Sequence, residues 1–224
     1  MFHSEASTLT STCPKDHSTP DKTGRIGRDP YDTLLEAWKA TVDEGVHNAR
    51  EKDAVAHHLI KYGEPVPIWT ALDVLSFGSL PYFMDLLHDD DLNTVARNFG
   101  IKHGASLTKW TRAFVDLRNI CAHGQRLFNS TTKRQLKIRS NALVAPDVLG
   151  HLADSAPQKR VYTPFTLLAY MLTQHPLGSF WPRDLRTQIR KFPKTITEGS
   201  GSTLTIESMG FPLDWETLLP WTHA

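Results

Sequence analysis

One apolar stripe sets most of what this chain can fold into. Leu107, Trp110, Phe114, Leu117 and Cys121 follow one another at spacings of three, four, three and four. That places them on one face of an α-helix, a face other helices must cover. Ser106 reads as the N-cap of this helix, and Gly124 suits the position just past its end, where a left-handed residue is needed. The covering helices can be read in turn. Asp29-Pro30 is an N-cap and first helical residue, followed by Tyr31, Leu34, Leu35, Trp38 and Val42 up to Gly45. A second helix, Ala49 to Tyr62, stops at Gly63. Ile68 to Leu75 is nearly all apolar and predicts a buried central helix. Leu80–Leu87 and Leu92–Phe99 predict short helices, the latter preceded by His88-Asp-Asp-Asp91, whose carboxylates suit a helix N-terminus. A weak helix after Pro146, an apolar one over Tyr162–Thr173 and a basic one over Pro182–Phe192 complete the set. Only Leu204–Ile206 resembles a strand. The expected fold class is all-α.

Residues 1–28, rich in Ser, Thr, Pro and Lys, hold too little apolar surface to offset ordering entropy. They predict a disordered N-terminal arm ahead of one helical domain over 29–224. The tail, Met209-Gly-Phe-Pro-Leu-Asp-Trp215 through Trp221, is too aromatic to float free and is expected to dock on the core. With only Cys13 and Cys121, no disulfide framework is expected, and Cys121 is expected to pack as a small buried hydrophobe. No apolar run reaches the roughly 18 residues of a membrane span. The first residues lack the pattern of a secretory signal, so the expected location is cytoplasmic.

The formal net charge is only +1, so affinity for nucleic acid must come from local clustering. Such a cluster surrounds the end of the central helix. No Asp or Glu lies between Asp116 and Asp147, whereas Arg118, Arg126, Lys133, Arg134, Lys137 and Arg139 all do. Within it, Arg118, Asn119 and His123 bring a guanidinium, a carboxamide and an imidazole to one helix end. These types suit RNA cleavage without a metal. His123 serves as general base or acid, Arg118 clamps the phosphate, and Asn119 orients the imidazole or meets the ribose. Asn119 and His123 share a face at i, i+4, while Arg118 stands roughly 140° from His123. Arg118 would meet the imidazole better across a two-fold interface. Arg126, Asn129, Lys133, Arg134, Lys137 and Arg139 are the candidate RNA contacts. The same spacing also fits a plain helix end, with His123 as a cap and Arg118 paired with Asp116 or another carboxylate.

Other clusters point less far. His57-His58 lacks a third ligand at useful spacing, so no metal and no cofactor are expected. Trp69, Trp110, Trp181, Trp215 and Trp221 read mostly as core, with an occasional one able to stack on a base. Arg183, Arg186 and Arg190 form a one-sided stripe that reads as a solvated face or a phosphate track.

Several strings together resemble one family. They are Lys61-Tyr-Gly-Glu-Pro-Val-Pro-Ile-Trp through Leu80, Phe99-Gly100 with Trp110, Leu117-Arg-Asn-Ile-Cys-Ala-His-Gly-Gln-Arg-Leu-Phe-Asn129, and the Met209–Trp215 tail. Appearing in order over about residues 50 to 221, they resemble the Abi-like (abortive infection, AbiD/AbiF) family of bacterial phage-defence proteins. The resemblance implies a HEPN-like helical bundle that dimerises and acts as a metal-independent ribonuclease. Arg118, Asn119 and His123 match the motif of that superfamily, and the active site would be composite across the dimer axis. It also implies RNA as partner, in some members a small non-coding RNA. A non-catalytic RNA-binding protein is the alternative. The chain departs from the family pattern at Gly124, Gln125, Phe128 and Ser130, after the motif.

Overall fold

The computed structural model describes residues 30–138, 143–153, 159–174, 179–193, 195–197, 199, 201 and 203–223. The expected N-terminal arm, residues 1–28, and Arg139 lie outside the described residues. Almost all regular structure is helical, as the spacing of the apolar residues requires. The chain divides into two compact units, Met1–His88 and Asp89–Ala224.

The first unit contains α1 (Pro30–Asn48), α2 (Asp53–Tyr62), α3 (Ile68–Val74), a 3-10 turn at Phe77–Ser79 and α4 (Leu80–Leu86). Helix α1 packs against α3 and α4, and α2 against α3. Trp38 on α1 is buried with its ring 5.4 Å from that of Phe83 on α4. Gly45 does not stop α1 as expected. An added Cβ there would fall 2.6 Å from Leu75 Cδ2, so Gly45 lets α1 and the end of α3 approach closely, and the helix runs on to Asn48. The expected burial of α3 is overturned. Only Ala71 of that helix is buried, and Trp69 is 67% exposed. In a seven-residue helix leaning on its neighbours by one face, the apolar residues of the other face stay in solvent.

The second unit is built on α6 (Gly104–Ala122), with α5 (Asp89–Arg97) against it on one flank and α8 (Tyr162–Gln174) on another. Asp89, Asp90 and Asp91 lie inside the first turn of α5, a helix the spacing placed three residues later. Helix α6 starts at Gly104, two residues before the expected Ser106 cap. The side chain of Asn93 on α5 accepts the Gly104 N–H at 2.7 Å, so a tertiary contact satisfies a donor that a cap would otherwise take. A short α7 (Gly150–Ala153) follows a 3-10 turn at Pro146–Leu149, and α9 (Trp181–Arg190) packs on α8. A two-stranded ribbon, β1 (Ile196–Thr197) with β2 (Thr203–Leu204), is antiparallel.

The tail docks as its aromatic content predicts. Rings run in contact from Tyr162 to Phe211 at 4.8 Å, Phe211 to Trp215 at 5.2 Å and Trp215 to Trp221 at 5.4 Å. Trp221 is fully buried, and its indole N–H donates to Thr166 Oγ1 of α8 at 3.3 Å. Truncating a residue so enclosed costs on the order of 3–5 kcal/mol. Among the described residues no helix is long and apolar enough to cross a membrane.

Candidate active site

Helix α6 carries the candidate residues on its last turn. Leu107, Trp110, Phe114 and Leu117 are buried as the stripe requires, and they hold the helix against α5 and α8. The fifth member of the stripe is a correction: Cys121 is exposed. Every residue from Cys121 to Arg126 is exposed, so the end of α6 reaches past the layer that covers its middle. Burial requires a neighbour as well as the right helical phase.

The helix closes with a Schellman motif. The Gln125 N–H donates to the Ile120 carbonyl at 3.0 Å and the Gly124 N–H to Cys121 at 3.2 Å, with Gly124 at φ +61°. His123 is the C-cap residue, its own N–H bonded to the Asn119 carbonyl at 3.0 Å. The backbone of His123 is therefore fixed while its imidazole stands in solvent. Arg118 is exposed and donates to Asn119 Oδ1 at 3.1 Å. Asn119 thus orients the guanidinium, and among the described residues no hydrogen bond joins either side chain to the imidazole. The structure brings Arg118 and Asn119 together. It leaves His123 apart from them.

Arg118 does not pair with Asp116. That carboxylate, with only 10% of its side chain exposed, is bound by Arg134, which also reaches the Arg112 carbonyl at 3.5 Å. Arg134, expected as an RNA contact, straps the segment after the motif back onto α6. Asn129 is in a similar position. It adopts φ +52°, and both its Oδ1 and its carbonyl accept from Arg160, at 2.9 and 3.2 Å. Three further anchors hold the same segment. The rings of Phe128 and Phe192 lie 4.8 Å apart, the Thr132 N–H donates to Lys159 at 3.1 Å, and Ile138 is buried. Between these anchors Arg126, Lys133 and Lys137 stay exposed, and among the described residues they form no ion pair.

The pairing of Asp116 with Arg134, and the role of Arg160, were not read from the sequence. Asp116 carried a signal, as the last acid before a long acid-free run. Arg160 carried none, because it stands 31 residues from its partner. The other clusters resolve by contact. His58 Nε2 lies 3.3 Å from the Pro65 carbonyl and its ring 5.2 Å from Tyr62. Of the five tryptophans weighed for stacking, Trp69 alone is exposed. On α9, Arg186 donates to the Trp221 carbonyl at 3.0 Å and lies 3.6 Å from Glu216, which also accepts from Arg190 at 2.9 Å. Those arginines staple the tail.

The arrangement can hold an anion and exchange a proton near it: an exposed imidazole on a rigid cap, an exposed guanidinium aimed by Asn119 on the preceding turn, and a strapped basic segment after them. Neither the curated proteins nor the solved structures contain a significant match to the chain. The family model of the Abi-like proteins matches residues 5–129, which ends on the last residue of the motif segment. The chain belongs to the Abi-like protein family.

Proposed function

We propose that this chain is a metal-independent endoribonuclease of the abortive-infection type, cytoplasmic and active as a homodimer of HEPN-type subunits. The observation that carries the reading is the solvent-facing, acid-free end of α6. The backbone of His123 is fixed there by the helix cap, Arg118 is aimed by Asn119, and the nearest carboxylate in the sequence, Asp116, is neutralised by Arg134. In the reaction, the 2′-hydroxyl of RNA loses its proton and attacks the adjacent phosphorus. The bond to the 5′-oxygen breaks, and that oxygen takes up a proton, leaving a 2′,3′-cyclic phosphate and a 5′-hydroxyl. Arg118 meets the charge that grows on the non-bridging oxygens. One imidazole cannot be base and acid at the same moment, and among the described residues none hydrogen-bonds the His123 imidazole. A second copy, with the two α6 ends facing, would supply both. Arg126, Lys133 and Lys137 would follow the phosphate backbone as point charges.

The isolation of His123 from Arg118 also favours a second reading, an RNA-binding protein without turnover. One experiment separates the two. Single-stranded RNA is incubated with the protein in EDTA, and the products are examined for cyclic phosphate ends. The proposal expects such ends from the parent, and their loss in both His123→Ala and Arg118→Ala with unaltered melting curves. Equal cleavage by both variants would sink the site. Salt-dependent binding by the parent without cleavage at any pH would establish the second reading instead.

A further inference from the structure

The second unit contains a cavity of about 340 Å³, walled by α7, the first turn of α8 and the segment from Glu207 to Leu218. That volume is at the lower end of small-ligand pockets. None of its walls belongs to α6, so a ligand held here is independent of the ribonuclease reading.

The inner wall is aromatic and uncharged. Tyr162 and Phe211 are buried, with their rings at 57° to one another. The Tyr162 hydroxyl lies 3.0 Å from His151 Nε2. Burial pushes the phenol up to about 12 and holds the imidazole below its usual value, against a smaller opposing pull from the Asp214 carboxylate. At neutral pH the two are an uncharged, hydrogen-bonded pair. The charged groups on the wall are Asp214 and Glu207, both exposed at the mouth. The Thr205 hydroxyl donates to Glu207 and holds its carboxyl below the ordinary range. The cavity therefore joins an uncharged wall to an anionic rim.

We infer that this cavity binds a small organic cation with a flat, delocalised head, a guanidinium or amidinium on a short apolar stem. Phosphates and carboxylates are repelled by the two rim carboxylates. A compact ammonium keeps its hydration shell and gains little from ring faces. A flat head offers paired N–H donors that match a carboxylate, and it is weakly enough hydrated to leave water for the uncharged wall of the cavity. The apolar stem finds Leu152, Pro212 and Leu218.

Benzamidine is the probe, and neutral benzamide, of nearly the same shape, is the control. Titration of the full chain, followed by calorimetry and by the His151 ring proton resonances, is expected to show saturable binding of benzamidine and at least tenfold weaker binding of benzamide. Asp214→Asn is expected to weaken benzamidine about tenfold, the scale of one charge-assisted hydrogen bond. Its backbone carbonyl, which accepts from the Thr217 N–H and hydroxyl at 2.8 Å each, is untouched by the change. Glu207→Gln, on an exposed side chain, is the second variant should the first melt early, and is expected to weaken binding in the same direction. Absence of saturation, equal binding of benzamide, or unchanged affinity in both variants would each overturn the inference.

Discussion

Two basic stretches of the second unit look alike in the sequence and have different fates in the fold. After α6, Arg126, Lys133 and Lys137 remain solvent-facing, while Arg134 is drawn down onto Asp116. On α9, Arg186 and Arg190 converge on Glu216 and the Trp221 carbonyl, and Arg183 lies over the Phe180 ring at 4.7 Å beside Asp184. The difference arises from what the rest of the chain lays beside each stretch. The tail brings a carboxylate to α9, whereas Asp116, the acid next to the α6 end, is already neutralised. A run of positive charge is available to a polyanion only when the fold leaves it without a carboxylate, so the phosphate-binding candidate is the first stretch and the structural staple is the second.

The largest test of that contrast is catalytic. Arg118→Ala or His123→Ala should lower RNA cleavage by on the order of 100-fold or more, while Arg186→Ala leaves the rate per folded molecule unchanged. Rates must be measured beside thermal melts. Next in size is an alkaline effect on the tail side of the unit. The folded pKa of Tyr162 stands near 12 against an ordinary 10, so the neutral phenol contributes fully below pH 10 and that contribution is lost as pH rises toward 12. The loss is roughly 3 kcal/mol, and denaturant melts of Tyr162→Phe should lack this step. Asp116→Ala strips Arg134 of a nearly buried partner and should cost about 1–3 kcal/mol. It should also loosen the segment that presents Lys133 and Lys137, read as weaker RNA binding at fixed salt.

Gly124→Ala meets no neighbouring atom within 4 Å. It should therefore cost only the left-handed backbone penalty of about 1 kcal/mol. A cleavage loss larger than the stability loss would show that the cap positions His123. The smallest effect is Glu216→Gln. Its closer pair, with Arg190, is half-exposed and its contact with Arg186 is long at 3.6 Å, so melting should fall by only ~2 °C. Arg190 would then be released while Arg186 stays on the Trp221 carbonyl, and the salt dependence of RNA binding should steepen by about one ion. Unchanged salt dependence would show that α9 faces away from RNA whether or not it is neutralised.

Much of this was legible in the chain itself, because helical phase and terminus chemistry are local. The spacing from Leu107 to Leu117, Pro30 at a helix start, Gly124 at φ +61° and the aromatic residues of the tail each follow from neighbours within a turn or two. The motif at Arg118, Asn119 and His123, and its place on a helix end, were readable for the same reason. What the neighbours do was not readable. The sequence by itself determined an all-α chain with an acid-free basic helix end. Only the tertiary structure decided that Cys121 and Trp69 face solvent, that Gly45 is a contact point and no stop, and that Arg134, Arg160, Arg186 and Arg190 hold the fold together while Arg118 and Arg126 stay accessible. Burial and ion pairing depend on groups far apart in the chain, as with Arg160 and Asn129 or Arg186 and Trp221, and local pattern carries no term for that distance.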